Sequence, residues 1–234
     1  VKRFWDRAEA RPSDGRFAVL LDGRPLRLPG GAALRVDSAP LAAALAEEWN
    51  AAGGAKGGDF THDDVPLTRV VGTAEERIAP DPLPTVAALA KYAETDLLCY
   101  RAEDRRLADR QAAEWDPILD WATLTLDAPL RVTAGVMPVA QDPDALSALA
   151  RSVAMLRPVE LAALGVAVPA LGSLVLGLAL AAGRLDAPAA HALATLDERW
   201  QEEFWGLDAE AEARRLRIAA DVALAARLFG LARG

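Results

Sequence analysis

Ala79-Pro80-Asp81-Pro82-Leu83-Pro84 places three prolines within five residues and separates two kinds of sequence pattern. Proline has a fixed φ and no N–H, so it continues neither a helix interior nor a central strand. A domain boundary is expected here, with a mixed α/β domain over 1–79 and a helical bundle domain over 80–234. The expected fold class is α+β: antiparallel strands and a helix first, then a larger all-helical part.

Upstream of the prolines, Arg16 to Leu21 predicts a strand and Pro25 to Leu28 a shorter one. Asp22-Gly23 between them is a two-residue hairpin signal. Leu34-Arg35-Val36 adds strand character. Leu41, Leu45 and Trp49 recur every four residues and make one apolar helix stripe. Asp37 or Ser38 is placed to cap that helix, with Pro40 in its first turn. Gly53-Gly54-Ala55-Lys56-Gly57-Gly58 reads as a flexible loop.

Downstream, Asp-Pro recurs as Asp81-Pro82, Asp116-Pro117 and Asp142-Pro143. Each pair reads as an N-cap followed by proline at the first helical position, where no N–H is needed. Asp186 and Asp208 look like further helix starts. The pattern predicts helices over about 82–98, 104–115, 117–126, 143–156, 158–182 with a break, 187–204 and 208–229. Leu161 to Gly183 holds no charged residue. A membrane anchor is one reading of its length. Pro169 and three glycines favour the other, a central helix near 169–182 wrapped by its neighbours, with Gly172, Ser173, Ala179 and Ala181 allowing close approach.

Hydrophobic residues make up 52% of the chain, which argues against disorder, and the net charge of -8 argues against a nucleic-acid binder. Cys99 is the single cysteine, so no intrachain disulfide forms and a reducing compartment is expected. The opening residues, Val1 to Asp6, lack the apolar core of a signal peptide.

Chemistry-bearing patterns are sparse. The loop around Lys56 lacks phosphate-loop spacing, and no dinucleotide fingerprint follows a strand. His62-Asp63-Asp64 reads as a solvated loop and His191 as structural, so no metal site is expected. Ser173 has no elbow geometry or base, and Cys99 reads as a buried small hydrophobe. No catalytic residue and no cofactor is expected. The competing reading is a small-molecule hydrolase using buried carboxylates, which requires a deep polar pocket and a carboxyl of raised pKa.

Trp5 and Trp49 read as core of the first part, and Trp115 and Trp121 as core of the second. The segment Leu196-Asp197-Glu198-Arg199-Trp200-Gln201-Glu202-Glu203-Phe204-Trp205-Gly206 mixes carboxylates with large aromatics. Such a mixture suits recognition of another protein. Glu198 and Glu202 stack one turn apart with Gln201 beside them, and an arginine-bearing partner would relieve their repulsion. The alternative is a solvated acidic face with Trp200 and Trp205 turned inward.

Read together, these motifs resemble the assembly chaperones of F-type ATP synthase that hold the alpha subunit of the catalytic head, the "ATP-twelve" family. Lys2-Arg3-Phe4-Trp5 is similar to its opening, and Leu21-Asp22-Gly23-Arg24-Pro25-Leu26-Arg27 to its hairpin. Leu41 to Trp49 and Pro66-Leu67-Thr68-Arg69 follow in order. The strongest likenesses are Thr95-Asp96-Leu97-Leu98-Cys99-Tyr100-Arg101, Glu114-Trp115-Asp116-Pro117-Ile118-Leu119-Asp120-Trp121-Ala122, Gly172-Ser173-Leu174-Val175-Leu176 and the acidic helix. Val65 departs from a usual Met, Val71-Gly72-Thr73-Ala74 from Ala-Asn-Thr-Ala, and the glycine-rich loop is unusual.

The resemblance implies a small α/β domain followed by helices, without catalysis or cofactor. It implies transient binding of the unassembled alpha subunit, whose beta-facing interface is shielded until the beta subunit displaces the chaperone. The free protein is expected to be a monomer that binds no nucleic acid and does not insert into membranes. A bacterial member is expected in the cytoplasm, and eukaryotic relatives in the mitochondrial matrix. The family's critical glutamate falls on Glu198, and Asp197, Gln201, Glu202 and Trp205 complete the expected partner-binding set.

Overall fold

Two tight turns build the sheet. Asp14-Gly15 joins β1 (Ala8–Ser13) to β2 (Arg16–Leu21), and Asp22-Gly23 joins β2 to β3 (Arg24–Pro25). All four turn residues have positive φ, between 48° and 77°, which the right-handed twist of a two-residue hairpin demands. β4 (Arg35–Val36) also pairs antiparallel with β2, through Phe17↔Val36 and Ala18↔Arg35. β1 pairs with β2 from Ala8↔Leu21 to Ser13↔Arg16. The computed structural model describes residues 1–135, 137–206 and 208–234.

The described residues form two compact units, Val1–Asp81 with Pro158–Ala163 and Arg227–Gly234, and Pro82–Arg157 with Leu164–Ala226. In the first, α1 (Ala39–Ala51) starts at Ser38, whose hydroxyl accepts from the Leu41 N–H at 3.2 Å. α2 (Pro66–Thr73) has no cap of its own. Glu48 supplies it from α1, accepting from the N–H groups of Leu67 (2.6 Å) and Thr68 (2.9 Å) and the Thr68 hydroxyl (2.7 Å). Burial nonetheless pushes the Glu48 carboxyl above its ordinary value. Trp5, Trp49 and Phe60 stack with centroids 4.8–5.7 Å apart.

The glycine-rich segment after α1, expected to be flexible, is pinned instead. Buried Arg3 donates to the carbonyls of Trp5, Asp6, Asn50, Ala52 and Gly54 at 2.7–3.1 Å. Backbone bonds Arg3→Gly58 (2.9 Å) and Gly57→Arg3 (2.8 Å) close the loop. His62-Asp63-Asp64 is a short 3₁₀ turn in which Asp64 closes a capping box with Thr61 and Asp63 pairs with Arg69.

The second unit is helical. α3 (Leu83–Ala90) runs into 3₁₀ turns that are interrupted at Asp96, so the single helix expected to 98 is broken. β5 (Tyr100–Arg101) leads to α4 (Arg105–Leu126) and pairs in parallel with β6 (Thr133–Ala134), a pairing not foreseen. Asp116-Pro117 does not start a helix. Pro117 lies inside α4, where its missing N–H leaves one turn without its bond, and Asp116 bonds Arg101 instead. Asp142 does cap α5 (Pro143–Ala154), accepting from Asp144 at 2.9 Å.

α6 (Pro158–Leu171) and α7 (Leu174–Ala181) are separated at Gly172-Ser173, three residues beyond Pro169. All eight α7 residues are buried. Among the described residues no helix is long and apolar enough to cross a membrane. α8 (Ala187–Ala194), capped by Asp186, and α9 (Leu196–Trp205) are distinct helices parted at Thr195, where one helix over 187–204 was expected. α10 (Ala209–Arg233) begins beside Asp208, which accepts from the Glu210 N–H at 2.9 Å.

Gly172 has open space where a Cβ would lie, whereas α7 approaches α6 closely at Gly177. A Cβ there would lie 2.7 Å from Val168 Cγ2 and 3.0 Å from Leu164 Cδ1. A methyl group normally favours a helix by about 1 kcal/mol over glycine, but overpacking a core costs roughly 1–3 kcal/mol. Gly177→Ala is therefore expected to lower the urea midpoint. A midpoint at or above wild type would mean that Val168 yields and the approach is not tight.

Candidate partner-binding site

The segment leading into α4 is organised around a buried carboxylate. Asp96 is fully buried and accepts from the N–H groups of Leu98 (3.1 Å) and Val175 (3.0 Å), with the Ser173 hydroxyl and the Leu174 N–H also turned to it. It thus closes the turn before β5 and caps α7, while Ser173 accepts from the Leu176 N–H at 3.0 Å. Burial raises the Asp96 carboxyl above its ordinary value, against the pull of these donors. Arg101 then donates to the carbonyls of Leu98 (2.6 Å) and Tyr100 (3.1 Å) and to Asp116 (2.6 Å). Its guanidinium lies 5.3 Å from the Trp115 ring, and Trp115 donates to the Leu193 carbonyl at 3.1 Å.

Gln111 ties α4 to α9. It is buried in α4, accepts from the Ala102 N–H at 2.7 Å, and donates to Asp197 at 2.7 Å. On the same side, Arg110 donates to Glu203 at 2.7 Å. Arg106 and Arg110 lie 5.9 and 5.8 Å from the Trp200 ring, and Arg106 lies 5.6 Å from Phe204. Trp200 and Phe204 stack on each other at 5.1 Å.

α10 closes the other flank. Arg214 pairs with Glu198, and Arg215 with Glu202. His191 approaches the Arg215 carbonyl through Nε2 at 3.1 Å, so α8 also braces this segment. Among the described residues, Glu198 Oε2 and Arg199 Nε are buried without a hydrogen-bond partner. Arg199 reaches back with its other end to the Ala192 carbonyl at 2.7 Å.

The expected set is therefore brought onto one helix but not onto one face. Asp197, Glu198 and Glu202 turn toward α4 and α10, whereas Gln201 and Trp205, one turn apart, face outward. Trp205 is 87% exposed, so the reading with both tryptophans inward holds for neither ring fully, since Trp200 is half-buried. Phe204, 55% exposed, was not singled out from sequence, nor were Arg110, Gln111, Arg214 and Arg215. The signal for Phe204 was its place beside Trp205. The arginines gave none, because they lie between 13 and 93 residues from their carboxylates.

Comparison with known proteins gives the family. The profile of the ATP12 chaperone protein family matches residues 2–123. The crystal structure of Atp12 from Paracoccus denitrificans superposes with a TM-score of 0.92 at 46% identity, covering 99% of this chain and 98% of that one. A mutant of the same P. denitrificans protein gives 0.93 at 45% identity, with the same coverage. The mitochondrial protein atp12 of Schizosaccharomyces pombe is 24% identical over 219 residues, 88% of this chain and 74% of that protein. The chain belongs to the ATP12 chaperone family. Its class of function is thus that of an ATP synthase assembly chaperone.

In this ATP12 family member two carboxyls are raised by burial as a hydrolase would require, Glu48 and Asp96, but the oxygens of both accept from backbone N–H groups and a hydroxyl, of Thr68 and Ser173 respectively. A shallow groove lies elsewhere in the same unit, lined by Ala87, Lys91, Glu94, Leu146, Ser147 and Ala150. Cys99 sits just beyond Asp96 and is buried. Burial first, then the Asp96 charge, pushes its thiol up to about 12, with Arg101 opposing. The thiol therefore stays protonated at pH 8 in the native protein, where the unfolded thiol, with its ordinary value near 9, is already partly ionised. Iodoacetamide at pH 8 is expected to leave native Cys99 unlabelled and to modify it after urea unfolding. Rapid native labelling would show an open, ionised thiol.

Proposed function

We propose that this chain holds the unassembled alpha subunit of the ATP synthase catalytic head and covers its beta-facing interface until the beta subunit takes that place. The reading draws on membership of the ATP12 chaperone family. The observation that carries it is α9, which presents Trp205 and Phe204 to solvent from a helix fastened on its other sides. Large exposed aromatics are costly to leave in water and make effective interface anchors. Release by competition needs no bond-breaking step, so no nucleotide or metal enters the cycle. The site of action in this proposal is wherever the head assembles, the cytoplasm in a bacterium and the matrix in mitochondrial relatives.

Co-purification with the alpha subunit, with and without the beta subunit, tests the proposal. Capture of alpha alone, lost on adding beta, is the expected result, and alpha aggregating unbound in the presence of the chaperone would overturn it. Trp205→Ala is expected to weaken capture by about 2 kcal/mol, roughly 30-fold, as for an interface hot spot. An unchanged dissociation constant would move the contact away from α9.

A further inference from the structure

The carboxylates of α9 already have partners within their own unit. Glu198 pairs with Arg214, Glu202 with Arg215, Glu203 with Arg110, and Asp197 accepts from Gln111. The Glu202 and Arg215 side chains are only 18% and 11% exposed. The second oxygen of Glu198 is buried, turned away from solvent. If Glu202 left Arg215 for a partner, it would strand a guanidinium with little access to water, which is strongly unfavourable. Gln201 and Trp205 carry no such obligation, and both are exposed.

We infer that Glu198 and Glu202 are positioning residues, acting through Arg214 and Arg215 to fix α9, and that Trp205, Phe204 and Gln201 form the surface that meets the alpha subunit. The inference rests on the alpha-subunit reading above and assigns the contact its chemistry: an apolar, aromatic-accepting surface with one amide, rather than an arginine-rich one. Two consequences separate it from a charged contact. Capture should change little with salt, because the charges of α9 are neutralised inside the chain rather than across the interface. Exchanging the charges of one pair should restore what a single reversal destroys.

The decisive comparison uses the more exposed pair, Glu198 and Arg214. Glu198→Arg, Arg214→Glu and the double variant are compared in the full chain by hydrogen exchange of the 196–205 amides and by capture of the purified alpha subunit. Each single variant should speed exchange and lower capture at least tenfold, and the double variant should recover both. Recovery of exchange without recovery of capture would overturn the inference, because Glu198 would then touch the partner directly. Arg214→Ala gives a second route if a reversal fails to fold: it should reproduce the loss seen with Glu198→Ala, and unchanged exchange and capture would also overturn the inference. Failure of the wild type to capture the alpha subunit would instead sink the function on which this rests, while the exchange data still decide whether the pair fixes α9.

Discussion

The second unit depends on the Asp96 carboxylate. A chain leaving one helical segment and a helix starting elsewhere both expose backbone N–H groups, and in a dry core each unpaired one costs about 1–3 kcal/mol. Asp96 serves both, taking the Leu98 N–H on its own side and the Val175 N–H at the start of α7. Because α7 is buried throughout, water is not there to do this work. The turn fixed by Asp96 leads into Arg101, which bonds Asp116 and lies over Trp115 in α4, and Gln111 of the same helix bonds Asp197 in α9.

The first unit solves the same problem with other residues. Arg3 gathers carbonyls around the end of α1, and Glu48 caps α2 from the side. Arginine suits the former task because its planar fork presents five donors, and it remains charged when buried. The segments that carry the family resemblance contain these residues: Arg3, Glu48, Asp96, Arg101 and Ser173. Their shared role is satisfying backbone groups that the fold buries, which explains why such segments identify the architecture more readily than the activity.

Legibility in the sequence followed how local each signal was. β2 and the Ser38 cap were readable because turn chemistry and caps act within a few residues. β1 was missed because Glu9, Arg11 and Pro12 have little strand preference. Its pairing is imposed by the Asp14-Gly15 turn, which carried the available signal, and Pro12 is tolerated because β1 has a single paired neighbour. Pro117 misled because Asp-Pro is a sound helix start in isolation, yet here the surrounding turns of α4 and the Arg101–Asp116 bond outweigh one missing hydrogen bond. At the candidate site the carboxylates were visible and their arginines were not, since α4 and α10 approach α9 only in the folded chain.

That concealment changes the physical meaning of the acidic helix. Read from sequence, Glu198 over Glu202 is a repulsive pair awaiting an external cation. In the fold, Arg214 and Arg215 supply the cations, and the carboxylates whose repulsion weakens an isolated α9 are the groups that hold it to α10. A helix held this way has few remaining rotamers and bonds to reorganise when a partner docks, which lowers the ordering cost of association. In the proposed role it also favours release, since an incoming subunit has to displace an aromatic contact rather than break a desolvated ion pair. Charge inside and aromatics outside are then two parts of one requirement, a surface rigid enough to be recognised and neutral enough to be exchanged.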